Sequence, residues 1–137
     1  MWIYKGNEFT SDMIDKYVGF VYCLTEIESG KKYIGKKKFW SKITKPPLKG
    51  KKRKRKELKE SNWMSYCGSN PETMALAEEH GHGVFFREIL HLCDSLGELS
   101  YLELKEQVDR GVLLRDEYYN GIIQCRIHKS HVKKLKI

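Results

Sequence analysis

The sequence lacks the long apolar segments that a membrane protein needs. No apolar run in its 137 residues approaches the roughly 20 residues that span a bilayer, and the amino terminus has no apolar block of the signal-peptide kind. It also lacks any Cys-x-x-Cys pair, because its 4 cysteines are scattered along the chain. These absences argue against a membrane-spanning protein and favour a cytoplasmic protein with reduced thiols.

Two tyrosine-bearing triplets in the first quarter of the chain are its most informative pattern. They are Phe-Val-Tyr at residues 20–22 and Tyr-Ile-Gly at residues 33–35, and a segment containing Ser29 and Gly30 separates them. Aromatic and β-branched residues around both triplets predict an antiparallel hairpin. Tyr22 and Tyr33 would then project from paired strands, where two phenols among several lysines either form a phosphate-handling site or only pack the hairpin.

Two capping-box spacings predict two helices. Ser69 with Glu72 opens a helix of roughly ten residues, and Ser95 with Glu98 opens one that ends at about residue 110. On the second helix we expect three apolar residues to face the core: Leu99, Leu102 and Val108.

The remaining patterns predict strands. Residues 84–92 are strongly β-like and predict a central strand, and residues 122–127 predict a short final strand before a short basic tail. Together with the hairpin, these elements indicate an α+β fold, with a small antiparallel sheet of about three strands flanked by helices. A chain of 137 residues is long enough for one domain, residues 1–137, and too short for two.

The two triplets resemble the signature of the GIY-YIG nuclease family, although Phe20 stands where the family usually has glycine. Tyr-Cys-Gly-Ser at residues 66–69, Phe-Arg-Glu-Ile-Leu at residues 86–90 and Tyr-Asn at residues 119–120 agree with this resemblance. Over roughly residues 18–125 the chain is most similar to the phage free-standing, Seg-like homing endonucleases of that family. The resemblance implies hydrolysis of phosphodiester bonds in double-stranded DNA, with one Mg²⁺ or Mn²⁺ ion per active site.

The resemblance also implies roles for individual residues. Tyr22 would activate the attacking water, and Tyr33 would position that water or hydrogen-bond the scissile phosphate. Glu103 would anchor the metal, with Glu106, about one helical turn later, as the alternative. Asn120 matches the Tyr-Asn near the end of the family's domain, although an Asn-Gly pair would also suit a turn.

The cation of this site is less well determined. Many family members carry an arginine on a helix after the second triplet, and no residue of this chain maps onto it. Lys37, two residues past Gly35, is the substitute that we predict. Arg87 in the predicted central strand is a further candidate, either for binding phosphate or for a structural ion pair.

Acidic residues are in deficit, with 18 against 26 lysines and arginines, which gives a net charge of +8 and favours a polyanionic partner. Much of this excess lies in residues 49–56, after two prolines, where self-repulsion predicts an extended, solvated run. We interpret residues 40–60 as an insertion that clamps DNA through its phosphates without reading sequence. A solvated loop or a nuclear-localisation peptide are alternatives. The predicted nucleic-acid-binding residues are Lys36, Lys38, Lys51, Lys52, Arg53, Lys54 and Arg55.

The sequence therefore predicts a metal-dependent DNA endonuclease of the phage homing type. We expect it to act as a monomer or weak homodimer in the cytoplasm of an infected bacterial host. The alternative is a non-catalytic, basic nucleic-acid-binding protein on the same scaffold. A zinc site formed by His80, His82, His91 and Cys93 is a further hypothesis, although their spacings match no common structural zinc module.

Overall fold

A mixed five-stranded sheet lies at the centre of the fold. The computed structural model describes residues 1–135, so the end of the predicted basic tail, Lys136 and Ile137, lies outside the described residues. In chain order the strands are β1 (Trp2–Tyr4), β2 (Asn7–Phe9), β3 (Gly19–Glu26), β4 (Lys32–Lys38), β5 (Trp40–Lys45), β6 (Arg55–Glu60) and β7 (Phe85–Cys93), and the α-helices are α1 (Pro71–His80) and α2 (Leu96–Asp109). The central sheet has the order β2-β1-β7-β3-β4, while β5 and β6 form a separate two-stranded sheet.

The predicted α+β class is confirmed, but the expected sheet of about three antiparallel strands was too small. The two additional strands are β1 and β2, which form a short hairpin at the amino terminus. Its turn residues Lys5 and Gly6 both have positive φ angles, as in the two-residue turns that connect the strands of tight hairpins. The sheet is mixed because β1 runs parallel to β7, with Trp2 opposite Arg87.

The predicted tyrosine hairpin is confirmed as β3 and β4. The register places Tyr22 opposite Gly35 and Tyr33 opposite Leu24, so the two tyrosines are diagonal neighbours on one face of the sheet. Their ring centroids lie 6.3 Å apart. Strand β4 is the edge of the sheet, and this places the second tyrosine and Gly35 beside a strand edge.

Strand β3 is buried on both faces, because a separate apolar cluster covers each face. On the tyrosine face, Phe20 and Tyr22 pack with Trp2, Phe39 and Trp63. On the other face, alternate residues of β3 and β4 pack with helix α2 in a cluster that contains Val21, Cys23, Ile34 and Leu99. The site described below includes residues on both faces of the sheet beside the edge strand β4.

Helix α1 begins one residue later than the capping-box interpretation implied. Its N-cap is Asn70, whose side-chain oxygen accepts hydrogen bonds from the backbone N–H groups of Glu72 (2.8 Å) and Thr73 (3.3 Å). Asn70 is as good an N-cap as serine and is followed by proline at the first helical position, which suits a helix start. The hydroxyl of Ser69 is therefore left for another contact.

Helix α2 follows the prediction at both ends. The Ser95 hydroxyl accepts a hydrogen bond from the Glu98 N–H at 3.2 Å, and Gly111 follows the helix with a φ of 61°. Leu99 is buried, as expected. Val108 was expected to face the core but is 59% exposed, because the helical period of 3.6 residues places it on the side of the helix opposite the buried Leu99.

The basic insertion is more ordered than the expected extended, solvated run. Strands β5 and β6 pair along their whole length, from Trp40 opposite Glu60 to Lys45 opposite Arg55, and residues 46–54 connect them. The pairing is compatible with the charge because Glu57 accepts ion pairs from Lys45 at 2.8 Å and Arg55 at 3.6 Å. Only the connection at residues 46–54 remains irregular and exposed.

The predicted final strand at residues 122–127 is wrong. These residues form no strand, and the chain continues into 3-10 turns at Lys129–Leu135. The edge of the sheet that such a strand could have joined is already occupied, because the Asn120 side chain bonds to both the N–H and the carbonyl of Ile34 in β4. In the described part of the chain, no helix has the length and apolar character to cross a bilayer.

Candidate active site

Gly35 allows a tyrosine to lie directly over the edge strand. Tyr22 projects from β3 opposite Gly35, and a Cβ atom on Gly35 would lie only 2.5 Å from the Tyr22 hydroxyl oxygen. Real Cβ atoms essentially never make so close a contact. The glycine of the second triplet therefore leaves room for the phenol across β4.

Three tyrosine rings form the tyrosine-face side of the site. The Tyr66 ring packs edge-on against Tyr22 at 6.0 Å, and the Tyr33 hydroxyl lies 3.2 Å from that of Ser69. Tyr22 is only 1% exposed, and this burial, followed by the neighbouring Tyr66, raises its pKa well above the ordinary value. Burial also raises the pKa of Tyr33, although the contact with Ser69 lowers it in part. Both phenols are therefore neutral in the free protein, and their surroundings oppose the phenolate that an activating base would need.

Lys37 brings a cation to the same cluster. Its ammonium nitrogen lies 4.2 Å from the centroid of the Tyr66 ring, within the range of a cation–π contact. Partial burial lowers the pKa of Lys37. The predicted catalytic lysine thus adjoins the tyrosines, and Tyr66 is a site residue to which the sequence analysis gave no role, although the Tyr-Cys-Gly-Ser motif contains it.

Arg87 is buried behind this cluster, where it holds the backbone of the Tyr66 segment and does not line the site. Its guanidinium donates hydrogen bonds to the backbone carbonyls of Met64 (2.9 Å) and Tyr66 (3.0 Å) and lies 4.9 Å from the Trp2 ring. The residue is 3% exposed. Neither expected role is visible, because the guanidinium is covered and no carboxylate of the described residues lies within 4.0 Å of it. Arg87 is a positioning residue for the segment that carries Tyr66.

Glu103 approaches β4 from the opposite face of the sheet, on helix α2. One of its carboxylate oxygens lies 4.0 Å from the ammonium nitrogen of Lys36, which itself donates a 2.8 Å hydrogen bond to Ser100. Burial raises the pKa of Glu103, and the charge of Lys36 offsets this in part. The carboxylate also contributes to the raised pKa values of both Tyr22 and Tyr33, so its field reaches the phenols across the strand.

Glu106, the alternative metal ligand, is already engaged on both of its oxygens. One oxygen lies 2.8 Å from His91 Nε2, and the other accepts a 2.8 Å bond from Arg110 Nε. Burial opposes ionisation of Glu106, but these two hydrogen bonds outweigh it and lower the pKa. The arrangement therefore favours Glu103 as the carboxylate that is available to a ligand.

A comparison of the whole chain against known families identifies its family. The family model described as "Putative endonuclease segE, GIY-YIG domain" matches residues 2–123. This chain belongs to the GIY-YIG family. Searches of curated proteins and of solved structures returned no match.

A hard divalent cation fits this GIY-YIG site better than zinc does. The described residues contain no group of three or more His, Cys, Asp or Glu side chains that could hold a metal. Of the hypothetical zinc ligands, His91 is bound to Glu106, and burial raises the pKa of the Cys93 thiol to about 12. The single carboxylate of Glu103, which has no cation closer than 4.0 Å among the described residues, suits an ion such as Mg²⁺, which takes its other ligands from water and phosphate oxygens.

Asn120 holds the edge strand of the GIY-YIG site in place. Its side-chain oxygen accepts a 3.0 Å bond from the Ile34 N–H, and its amide nitrogen donates a 2.8 Å bond to the Ile34 carbonyl. Gln107 of α2 donates to the same carbonyl at 3.2 Å and was not foreseen. Asn120 thus makes the hydrogen bonds that a neighbouring strand would make. It is a positioning residue, because it fixes the backbone of Ile34, the residue before Gly35.

The predicted nucleic-acid-binding residues fall into two groups. Lys36 and Lys38 join Lys37 in an open groove of about 830 Å³ between the start of α2 and the β5–β6 hairpin. By contrast, Lys51, Lys52, Arg53 and Lys54 lie at the exposed end of the hairpin, within the connection at residues 46–54. Arg55 is engaged locally, since it donates to the Pro46 carbonyl at 3.3 Å and pairs with Glu57.

Proposed function

We propose that this GIY-YIG protein is a metal-dependent endonuclease that hydrolyses phosphodiester bonds in double-stranded DNA. The observation that carries the proposal is the convergence on two neighbouring residues of β4, where the Tyr22 phenol lies over Gly35 on one face and Glu103 of α2 lies 4.0 Å from the Lys36 ammonium nitrogen. A protein that only binds nucleic acid has no need of a partly buried carboxylate whose nearest cation is 4.0 Å away. The family's description as a putative endonuclease supports the same conclusion.

The chain's own groups would divide the chemistry between them. The neutral phenol of Tyr22 orients the attacking water. It could accept the water's proton only as a phenolate, after releasing its own proton to solvent, a loss that bound cations would favour by lowering its pKa. The half-buried Tyr33 phenol beside Ser69 donates a hydrogen bond to the scissile phosphate. Lys37 stabilises the negative charge that increases on the phosphoryl oxygens. A Mg²⁺ or Mn²⁺ ion held by Glu103 would neutralise charge on the phosphate and on the departing 3′ oxygen.

The setting that we propose is that of a phage homing-type enzyme in an infected bacterial cell, in line with the Seg-like character of the matched family. The direct test is incubation of the purified protein with supercoiled plasmid and Mg²⁺ across a range of pH and salt. Cutting that stops when EDTA is added would support the proposal. Intact plasmid under every condition, with DNA binding retained, would instead show a non-catalytic binding protein.

A monomer with one such site should cut one strand at a time. We expect nicked circles to accumulate before linear DNA at low protein concentration, because in-line attack by one tyrosine–glutamate site opens one phosphodiester per visit. The second cut should rise more steeply than first order in protein. A time course on an agarose gel checks this, and direct conversion of supercoiled to linear plasmid at limiting enzyme would indicate a preformed dimer.

The exposed end of the hairpin should supply affinity without sequence preference. Replacing Lys51, Lys52, Arg53 and Lys54 with glutamine should make DNA binding less dependent on salt. The negative slope of the logarithm of the association constant against the logarithm of the salt concentration should become shallower by roughly 0.9 for each phosphate contact that is lost. The matched control is Arg55→Gln, which should change the slope less because Arg55 is already paired with Glu57. Fluorescence-anisotropy titrations at several salt concentrations measure both, and equal slopes for the fourfold variant and the parent would contradict a backbone contact.

A further inference from the structure

The two faces of the β5–β6 hairpin differ in character. Because side chains alternate along paired strands, one face carries Trp40, Lys42, Thr44, Lys56 and Leu58, which we call the groove face. All five of these residues are exposed. The opposite face carries Ile43, Lys45, Arg55 and Glu57, which are partly buried, and Ser41 and Lys59, which are exposed.

The charges of the two faces are balanced differently. On the opposite face, Glu57 pairs with both Lys45 and Arg55, which leaves Lys59 as the cation of that face with no carboxylate within 4.0 Å among the described residues. The acid at the base of the groove face, Glu60, accepts hydrogen bonds from Ser11 (2.6 Å) and Trp63 (2.8 Å), so the core holds it. Among the described residues, no carboxylate lies within 4.0 Å of the ammonium group of Lys42 or Lys56. The groove face is therefore cationic with exposed apolar groups between the cations.

The groove face is continuous with the candidate active site. The open groove of about 830 Å³ is lined by Trp40, Lys42 and Leu58 of the hairpin together with Lys36 of β4 and Ser100 of α2. Lys36 is the residue that bridges Ser100 and Glu103. A duplex with its backbone at Glu103 would therefore extend along the groove and meet this face of the hairpin.

We propose that the groove face enters the DNA major groove beside the scissile phosphate and reads base edges there, an inference that rests on the proposed endonuclease function. A two-stranded ribbon fits a major groove about 12 Å wide, whereas the minor groove, at about 6 Å, is too narrow for it. Thr44 and Leu58 offer apolar contact to thymine methyl groups, and Lys42 and Lys56 can donate to guanine O6 and N7. Strands of six residues extend roughly 20 Å, which corresponds to about six base pairs.

This assignment separates the hairpin into two parts with different tasks. The exposed end at residues 51–54 contacts phosphates at any sequence, and the groove face distinguishes one sequence from another. The chain therefore carries a sequence-reading element inside its nuclease domain, beyond the phosphate clamp that the sequence predicts.

The test begins with the full-length Glu103→Gln variant, which should bind DNA without cutting it. Duplexes selected by this protein from a randomised pool should share a sequence, and a scrambled version serves as the reference. Dimethyl sulfate, which methylates guanine N7 in the major groove and adenine N3 in the minor groove, then shows which groove is covered. We expect guanine N7 protection over about six base pairs.

Two double variants identify the face responsible. Lys42→Ala with Lys56→Ala should remove the N7 protection and lower the preference for the selected over the scrambled duplex by about 10-fold or more. Lys54→Ala with Lys59→Ala removes the same charge from the end and the opposite face. It should weaken binding to both duplexes alike and keep the protection.

Each contrary result has a distinct meaning. Adenine N3 protection, no base protection, or no enriched sequence would overturn the major-groove assignment. Equal loss of preference in both double variants would overturn it as well, because the effect would then be one of charge alone. A parent protein that protects guanine N7 but cuts no DNA would overturn the proposed endonuclease function and leave this inference standing.

Discussion

Glu103→Ala should abolish DNA cleavage while DNA binding stays within about threefold of the parent. We expect the rate to fall by at least about 10³-fold, since a carboxylate that anchors a catalytic cation supports several kcal/mol of transition-state stabilisation. Affinity should survive because the exposed lysines of the groove and the hairpin are untouched. Single-turnover cleavage of a labelled plasmid and a binding titration measure the two quantities.

Glu106→Ala is the matched control for this result, one helical turn away. It should cut DNA at close to the parental rate after correction for its folded fraction, because Glu106 is bound to His91 and Arg110 rather than open to a ligand. The reverse outcome, with Glu106 essential and Glu103 dispensable, would move the metal ligand by one turn.

The contributions of Glu103 and Glu106 to folding stability should change with pH in opposite directions. Burial raises the pKa of Glu103, so its contribution to stability is present at low pH and is lost as pH rises. Glu103→Gln should therefore raise the melting temperature at pH 7 and have little effect near pH 3.5. The pKa of Glu106 is lowered, so its contribution is present at neutral pH and is lost on acidification. Glu106→Gln should cost about 1 kcal/mol or more at pH 7. Thermal or urea unfolding at the two pH values checks both signs, and equal signs would contradict this description of the site.

Gly35→Ala should impair both folding stability and cleavage. The added Cβ would lie 2.5 Å from the Tyr22 hydroxyl oxygen and 3.0 Å from the Tyr33 ring. Relief of this overlap requires a shift of the strand or the phenol, with a cost of about 1–3 kcal/mol in unfolding free energy. A displacement of about 1 Å in the site can lower the rate by roughly 100-fold.

Gly83→Ala provides the control for that experiment. A Cβ on Gly83 would have no neighbour within 4 Å, and its φ angle lies outside the positive region, so alanine should be neutral or slightly stabilising. Circular dichroism establishes the folded fraction of each variant before rates are compared. If Gly35→Ala melts and cuts like the parent, the phenol of Tyr22 does not lie over Gly35 in solution.

The parts of the fold that local patterns determine were predictable. Alternation, capping residues and glycine stops predict the tyrosine hairpin, the central strand and both helices. The predicted ends of these elements lie within a few residues of the observed ends. The amino-terminal hairpin was missed because its strands have only three residues each. Such short segments have too little periodicity to identify.

The roles of site residues that depend on distant contacts could not be predicted in this way. Glu103 was preferred to Glu106 by family resemblance, but the structural reason is the pairing of Glu106 with His91 and Arg110, which sequence spacing does not reveal. Arg87 was expected either to bind phosphate or to form a structural ion pair, and Asn120 was expected to be either a site residue or a turn residue. In the fold they hold backbone groups, because long-range packing places them under Tyr66 and beside Ile34.

The parallel pairing of β1 with β7 has a consequence for the order in which the protein is made. Trp2 leaves the ribosome well before Arg87, so strand β1 can form its local hairpin with β2 but cannot pair with β7 until Arg87 has been synthesised. Helix α2, which carries Glu103, follows β7 in the chain. Domains with such non-local pairings fold slowly, because distant segments must meet before they stabilise one another. A nascent chain that already displays its tyrosines and lysines therefore has no complete nuclease site, and cutting activity should arise only after the second helix has emerged.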